Sequence, residues 1–349
     1  MADLILDNAI MAQSMLERLK VNQKQKGVKS SKRIKKLIAA SLSDFSGNIS
    51  SKSKAEKIIK TLNTGLKPAF DEQVNSLTKQ VNQSALQLAN IEYMSFTQVF
   101  DADSVNEVNG DDLEKALQNN PLSLKNWNGP LYLSQFIAAW GLLSLTQITN
   151  TVTRTFAENG SIQTLSNYLY NDNVVGYSVI SKVANDYDAI ASTALQHAHS
   201  ISTIEFYKAN TDIVDKEEFA AILDSKTSAA CRALDGTTYP VGKGPRPPLH
   251  LRCRSRMLPV INNCYVELLG GEPFKQSVYG EETYYQWLER QTTKRQDIVL
   301  GPTRGRLFRE GGLSPEQFAK LQLHKNFQPM TLEEMKQLAP DAFERAGLT

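Results

Sequence analysis

Residues 227–252, TSAACRALDGTTYPVGKGPRPPLHLR, with Cys253 directly after them, mark where a helical chain turns into an α+β one. This stretch holds a cysteine, an Asp-Gly turn, a Gly-Pro-Arg-Pro-Pro run and a His-x-x-Cys in less than a tenth of the protein. Asp235-Gly236 predicts a tight turn, and Thr237-Thr238-Tyr239 predicts a short strand beyond it. Upstream, residues 223–227 open a short helix for which Asp224 or Ser225 is placed to accept a backbone N–H as the cap. Pro245, Pro247 and Pro248 fix their own backbone and donate no hydrogen bond, so the loop is stiff and reads as a docking surface. Between Lys226 and Arg256 there are seven Lys and Arg against one acid, Asp235.

Two chemistries fit this pattern. Zinc takes thiolate and imidazole ligands in a closed tetrahedron, with pairs close in sequence. Cys231, His250 and Cys253 supply three such groups, and Asp224, Asp235, Cys264 or water would supply a fourth. Ser228 stands where a Cys-x-x-Cys partner would sit. The other reading requires no cofactor: the cysteines are small buried residues and hydrogen bonds hold a structural clasp. Asp224, Cys231, Leu234, Asp235, Gly236, Tyr239, Pro240, Pro247, Pro248, His250, Cys253 and Arg254 are the residues expected to build it. The arginines around it either contact phosphates and partner carboxylates or form internal salt bridges to the acidic 212–224 strand.

Working outward, Ile5, Ile10, Met11, Met15, Leu16 and Leu19 recur at helical spacing and predict a short opening helix. The polar run that follows, containing Lys32, Arg33, Lys35 and Lys36, reads as a linker or basic arm attracted to phosphates, or else as a solvated helix flank. Residues 51–65 predict a helix closed by Gly65, and Pro68 suits the first turn of the next. Phe70, Val74, Leu77, Val81, Ala85 and Leu88 draw one apolar stripe that must meet another helix. The acidic segment 101–129 separates that helix from the next, and residues 131–145 read as a buried helix too short to span a bilayer. Ile180, Val183, Ala184, Tyr187, Ile190, Ala191, Ala194 and Leu195 carry a further stripe toward His197. His197 and His199, two apart, cannot share a helical face and read as ordinary packing residues. Ile213, Phe219, Ala221 and Leu223 then partly alternate with acids, and residues 257–260 add a strand candidate, so a small α+β unit spans 205–265.

The fold class is therefore α+β: a mainly helical N-terminal half, a small α+β clasp domain and an extended helical C-terminal tail. The expected organisation is an N-terminal helix and basic arm over 1–50, a helical region over 51–204, the clasp over 205–265 and a tail of short helices over 266–349. A length of 349 residues favours more than one unit, and 41% apolar with 22% charged residues suits a globular chain. Net charge is only +2, yet residues 1–90 carry fifteen Lys and Arg against seven acids, while 91–130 carry two against seven. Three cysteines within 34 residues point to a reducing compartment, and the acidic start predicts neither a signal peptide nor a membrane anchor. There is no G-x-S-x-G, P-loop or H-E-x-x-H, so catalysis is not the leading reading.

Residues 231–259, CRALDGTTYPVGKGPRPPLHLRCRSRMLP, resemble the signature of the Mu F-like minor head proteins of tailed bacteriophages. The segments YYQWLERQTTKRQDIVLGPTRGR (284–306), LFREGGLS and MTLEEMKQLAPDAFERAGL resemble the tail found in many head-morphogenesis proteins, so the likeness covers about 180–349. It implies a non-enzymatic virion protein made in the host cytoplasm and located in the head near the portal vertex. Its expected partners are the portal protein, the capsid protein and packaged double-stranded DNA, with several copies in one assembly. Members often carry a fuller Cys-x-x-Cys and a His-x-x-Cys-Arg-Cys; here Ser228 and Ser255 replace two of those cysteines. Arg246, Arg252 and Arg304, with Trp287 as an aromatic anchor, are the expected interface or phosphate contacts beside the basic arm. The competing functions are a zinc-dependent nucleic-acid enzyme and a DNA-binding internal protein ejected with the genome.

Overall fold

No proline interrupts residues 2–42, and Lys, Gln, Leu and Ala are frequent among them, so they form one helix, α1 (Ala2–Leu42). The computed structural model describes residues 2–124, 129–266, 283–324 and 329–348, with side chains from residue 12 onward. The side chains of Ile5, Ile10 and Met11 thus lie outside the described residues. Of the two readings of the basic run, an arm or a solvated helix flank, the structure has the helix: the run is the middle of α1. Gln23, Gly27, Ile34 and Ile38 are buried at helical spacing, and the charges point outward. Tertiary contact on one face decides the matter where composition alone suggested solvent.

Ser51 caps α2 (Lys52–Thr97) by accepting the Lys54 N–H at 3.2 Å. This helix runs unbroken through Gly65 and Pro68, where the sequence predicted a stop and a restart. Both residues are exposed, while Leu62, Leu66 and Phe70 around them are buried. Burying three such side chains, at roughly 1.5–3 kcal/mol each, outweighs the ~1 and ~3 kcal/mol that Gly and Pro cost a helix. The acidic segment also contains structure: Asn109 caps α3 (Gly110–Asn119), which buries Leu113 and Leu117 and stops at Asn120 before Pro121.

Helices α4 (Leu133–Ala157), α5 (Ile162–Tyr170), α6 (Asp172–Val175) and α7 (Val179–Ala209) complete the N-terminal bundle. Residues 131–145 read as a buried helix, but only one face of α4 is covered; Leu142 and Leu143 remain 69% and 54% exposed. α1, α2, α4 and α7 share one core that includes Leu16, Ile38, Leu62, Phe70, Trp140, Tyr187 and Leu195. Gly27 lets α1 approach α7 closely, since a Cβ there would lie 2.5 Å from the Tyr187 ring.

The sheet follows. β1 (Val214–Ala220) is central, with β2 (Thr238–Pro240) and β3 (Arg256–Ile261) antiparallel on either side, so that Glu217 stands opposite both Tyr239 and Pro259. α8 (Ala229–Leu234) connects β1 to β2, and α9 (Asn263–Val266) follows β3. The C-terminal region is helical: α10 (Tyr284–Glu289), α11 (Thr293–Leu300), α12 (Pro302–Glu310), α13 (Pro315–Lys320), α14 (Leu332–Leu338) and α15 (Pro340–Arg345). Capping boxes at Thr283, Ser314 and Thr331 start three of these, and Pro opens α12, α13 and α15. They gather around Tyr285, Leu307, Phe318, Met335 and Phe343. Among the described residues no helix is long and apolar enough to cross a membrane.

Replacing Gly27 with Leu forces a side chain into the Tyr187 ring, and an overpacked helix contact costs typically 1–3 kcal/mol. Gly27→Leu is expected to lower the urea midpoint accordingly, even though Leu is the better helix former; an unchanged or raised midpoint would show that α1 does not lie against α7.

Candidate functional site

The clasp is assembled around the carboxylate of Asp235. Ser228, rather than Asp224 or Ser225, caps α8, accepting the Cys231 N–H at 3.3 Å. The helix ends at Asp235, and Gly236, at φ +75°, turns the chain so that its N–H donates to the Phe219 carbonyl at 2.8 Å. Asp235 then accepts two backbone N–H groups, from Ala221 and from Tyr284, each at 2.6 Å. One side chain therefore ties the end of β1 to the first C-terminal helix. Burial pushes its pKa up to about 7 against these two bonds, which favour the charged form.

Asp224, released from capping, receives Arg254 through two bonds of 2.7 and 2.8 Å. Burial alone would raise its pKa, but Arg254 and the Lys226 N–H hold it below the usual carboxylate range. Leu234 is buried with Phe219, Leu249 and Met257, while Tyr239 packs against them and its hydroxyl accepts from Thr237. Pro240 lies exposed on β2. Pro247 and Pro248 are buried, so the proline run faces inward and is no docking rod; its stiffness serves the interior of the clasp.

Within this frame three ligand atoms converge. The Cys231 sulfur lies 3.8 Å from that of Cys253 and 3.4 Å from Nε2 of His250, and all three atoms fall within 4.8 Å of one another. Cys231 comes from α8, whereas His250 and Cys253 share one turn closed by the Cys253 N–H on the His250 carbonyl at 3.1 Å. Both cysteines are buried and His250 is half-buried; Cys264 is exposed and stands outside the group. The hydrogen bond from Cys231, together with His250, draws the Cys253 thiol well below its ordinary value. Burial opposes charge on His250, but Cys253 outweighs it and raises the imidazole pKa. These residues can share a proton or hold a metal ion.

The arginines resolve differently from the phosphate reading. Arg246 lies against Glu217, whose side chain is fully buried. Arg252 spends its guanidinium on Asp188, 3.1 Å away, and on Asn185, while its backbone N–H donates to the Thr193 hydroxyl. Arg256 faces Glu92 at 3.7 Å, both buried, and Arg232 donates to the carbonyls of Thr227 and Val299. Arg304 donates to the Met330 carbonyl. Trp287 is half-buried against Tyr284, with ring centroids 5.3 Å apart. A basic sequence thus becomes a set of internal pairs, because the acids that balance it lie on β1 and on the bundle. Of the α1 cations, Arg33 meets Glu72 at 2.7 Å and Lys35 stands 5.1 Å from the Tyr170 ring, while Lys32 and Lys36 are exposed.

Sequence reasoning missed the polar seam beneath the clasp. Lys20 donates to Gln196 at 2.7 Å and Gln196 donates to the Ser255 carbonyl at 2.9 Å, all buried. Glu92 and Arg256 lie alongside, burial driving the Glu92 pKa up. His199 is buried, and burial, then Arg256 and Lys20, hold it well below its ordinary value. His197 meets the Asn120 carbonyl at 3.1 Å, and burial lowers it to about 4. The available signal was a charge on an apolar stripe: Lys20 four residues after Leu16, and Glu92 four after Leu88.

The chain matches no protein-family model, and no curated protein or solved structure is recognisably similar to it. The likeness of the clasp to Mu F-like proteins rests on the residues quoted above.

Two outcomes follow from these pairings. Arg246→Met leaves Glu217 buried without its partner and is expected to destabilise the fold by about 3–5 kcal/mol, read by urea unfolding; a loss within experimental error would return Arg246 to the surface. Glu218 is the second case, its pKa pushed up to about 7 by burial and by the neighbouring Asp235. A carboxyl raised in the folded state binds its proton more tightly there than when unfolded, so stability falls as pH rises from the ordinary carboxylate range to about 7. Glu218→Gln is expected to raise the unfolding free energy at pH 8, read by urea titration, by on the order of 1 kcal/mol and to have little effect near pH 4. Equal shifts at both pH values would contradict this.

Proposed function

We propose that this chain is a structural protein of a tailed-bacteriophage head, docked at the portal vertex during head assembly and genome packaging or delivery. The observation that carries the reading is the clasp itself. The residues resembling the Mu F-like signature form one small unit whose arginines are paired inside the chain, Arg246 with Glu217 and Arg254 with Asp224 in the clasp, Arg252 with Asp188 and Arg256 with Glu92 on the bundle. Such a unit keeps its shape without a partner, which lowers the entropic cost of docking.

A docking face is available beside it. Leu142 and Leu143 on α4 and Leu251 of the clasp are exposed, at 69%, 54% and 51%, and Leu143 and Leu251 line one groove with Phe136, Trp140 and Ile190. Exposed apolar side chains gathered in one place mark protein contact more often than isolated ones do. The portal is the proposed occupant, since a repeating ring presents the same complementary patch to each copy of a rigid docking unit.

Co-expression with the portal protein of the same phage tests the assignment. The two are expected to co-elute, and Leu143→Glu with Leu251→Glu to weaken the complex at least about tenfold, as removal of central apolar contacts does. A folded wild-type chain that stays monomeric and ignores the portal would overturn it.

A further inference from the structure

We infer that Cys231, His250 and Cys253 form a binding site for one zinc ion that closes the clasp. Zinc bonds thiolate at about 2.3 Å and imidazole at about 2.0–2.1 Å in a tetrahedron, which sets ligand separations of about 3.8 Å between sulfurs and about 3.5 Å between sulfur and nitrogen. The sulfurs are 3.8 Å apart and the Cys231 sulfur is 3.4 Å from Nε2 of His250. Two edges of a tetrahedral face therefore already stand at zinc spacing, and the third, from the Cys253 sulfur to Nε2, falls within 4.8 Å.

The surroundings orient them as ligands. Nδ1 of His250 lies 2.9 Å from the Leu251 carbonyl, to which it donates, so Nε2 is turned toward the sulfurs. Ligating histidines are fixed in this way, by a hydrogen bond from the other ring nitrogen to a carbonyl or carboxylate. Two thiolates and a neutral imidazole balance a divalent cation, which suits a buried site better than an uncompensated charge. Ser228, whose hydroxyl accepts the Cys231 N–H at 3.3 Å, stands beside the site, and it or a water is available to the fourth position. His250 is half-buried, leaving that side open to entry.

The site is independent of the docking assignment, because metal content is read on the isolated chain. Full-length protein prepared under reducing conditions, supplied with zinc and then freed of excess, is expected to retain about one zinc per chain by elemental analysis. Cobalt(II) in its place should show the visible absorption of a tetrahedral thiolate site. His250→Ala, altering the more accessible ligand, and Cys231→Ser should each lower affinity by more than the roughly tenfold lost when an outer-shell partner is removed. Cys264→Ser should keep the metal. A folded wild-type chain that retains no metal overturns the inference. So does a metal-free chain in which thiol titration after denaturation finds two sulfhydryls missing, since that pair would then be a disulfide.

Discussion

Helix α7 is surrounded by protein over its C-terminal half, and many of the polar groups it carries there are paired inside, while the His199 ring and the Ser200 and Tyr207 hydroxyls find no partner among the described residues. The arrangement of the molecule follows from how those partners are supplied. α1 brings Lys20 to Gln196, α2 brings Glu92 to Thr203, and the loop after α3 brings the Asn120 carbonyl to His197. The clasp meets the same helix from the other side, through the Arg252 N–H on Thr193 and the Ser255 carbonyl on Gln196. A helix with an apolar surface would accept its neighbours in several registers. One bristling with buried donors and acceptors accepts them in few, because each mismatch leaves a group unsatisfied at roughly 1–3 kcal/mol.

The clasp extends this logic to the C-terminal region. Asp235 holds Ala221 and Tyr284 on its two oxygens, while Arg232 reaches from α8 to the Val299 carbonyl. Three parts of the chain that would each bury only a modest core are thereby joined through a few directional contacts. The pairs Arg246 with Glu217 and Arg254 with Asp224 stiffen the loop between them. Beside the clasp, Leu142 and Leu143 on α4 and Leu251 stay exposed.

Much of this was legible in the sequence. Helical periodicity marked the buried stripes of α2, α4 and α7, and Asp235-Gly236 marked its turn. These are local effects, settled within a few residues by backbone sterics and capping. The convergence of Cys231, His250 and Cys253 was also foreseeable, since a His-x-x-Cys turn and a cysteine on the preceding helix need only one hairpin to meet.

Other features followed from contacts between distant residues. Gly65 and Pro68 signal a break, yet burial of Leu62, Leu66 and Phe70 carries α2 straight through them. The run around Lys32 to Lys36 signals an arm, yet Ile34 and Ile38 dock it on the bundle. Arg246 and Arg252 read equally as phosphate contacts or as internal pairs, and Glu217 and Asp188 meet them from strand and helix. The chain by itself determined the apolar stripes of the long helices, the turn at Asp235-Gly236 and which residue types meet in the clasp, because those depend on neighbours in sequence. Tertiary structure alone decided which charges are spent internally and which breakers are overruled, because both turn on the partner that folding places opposite.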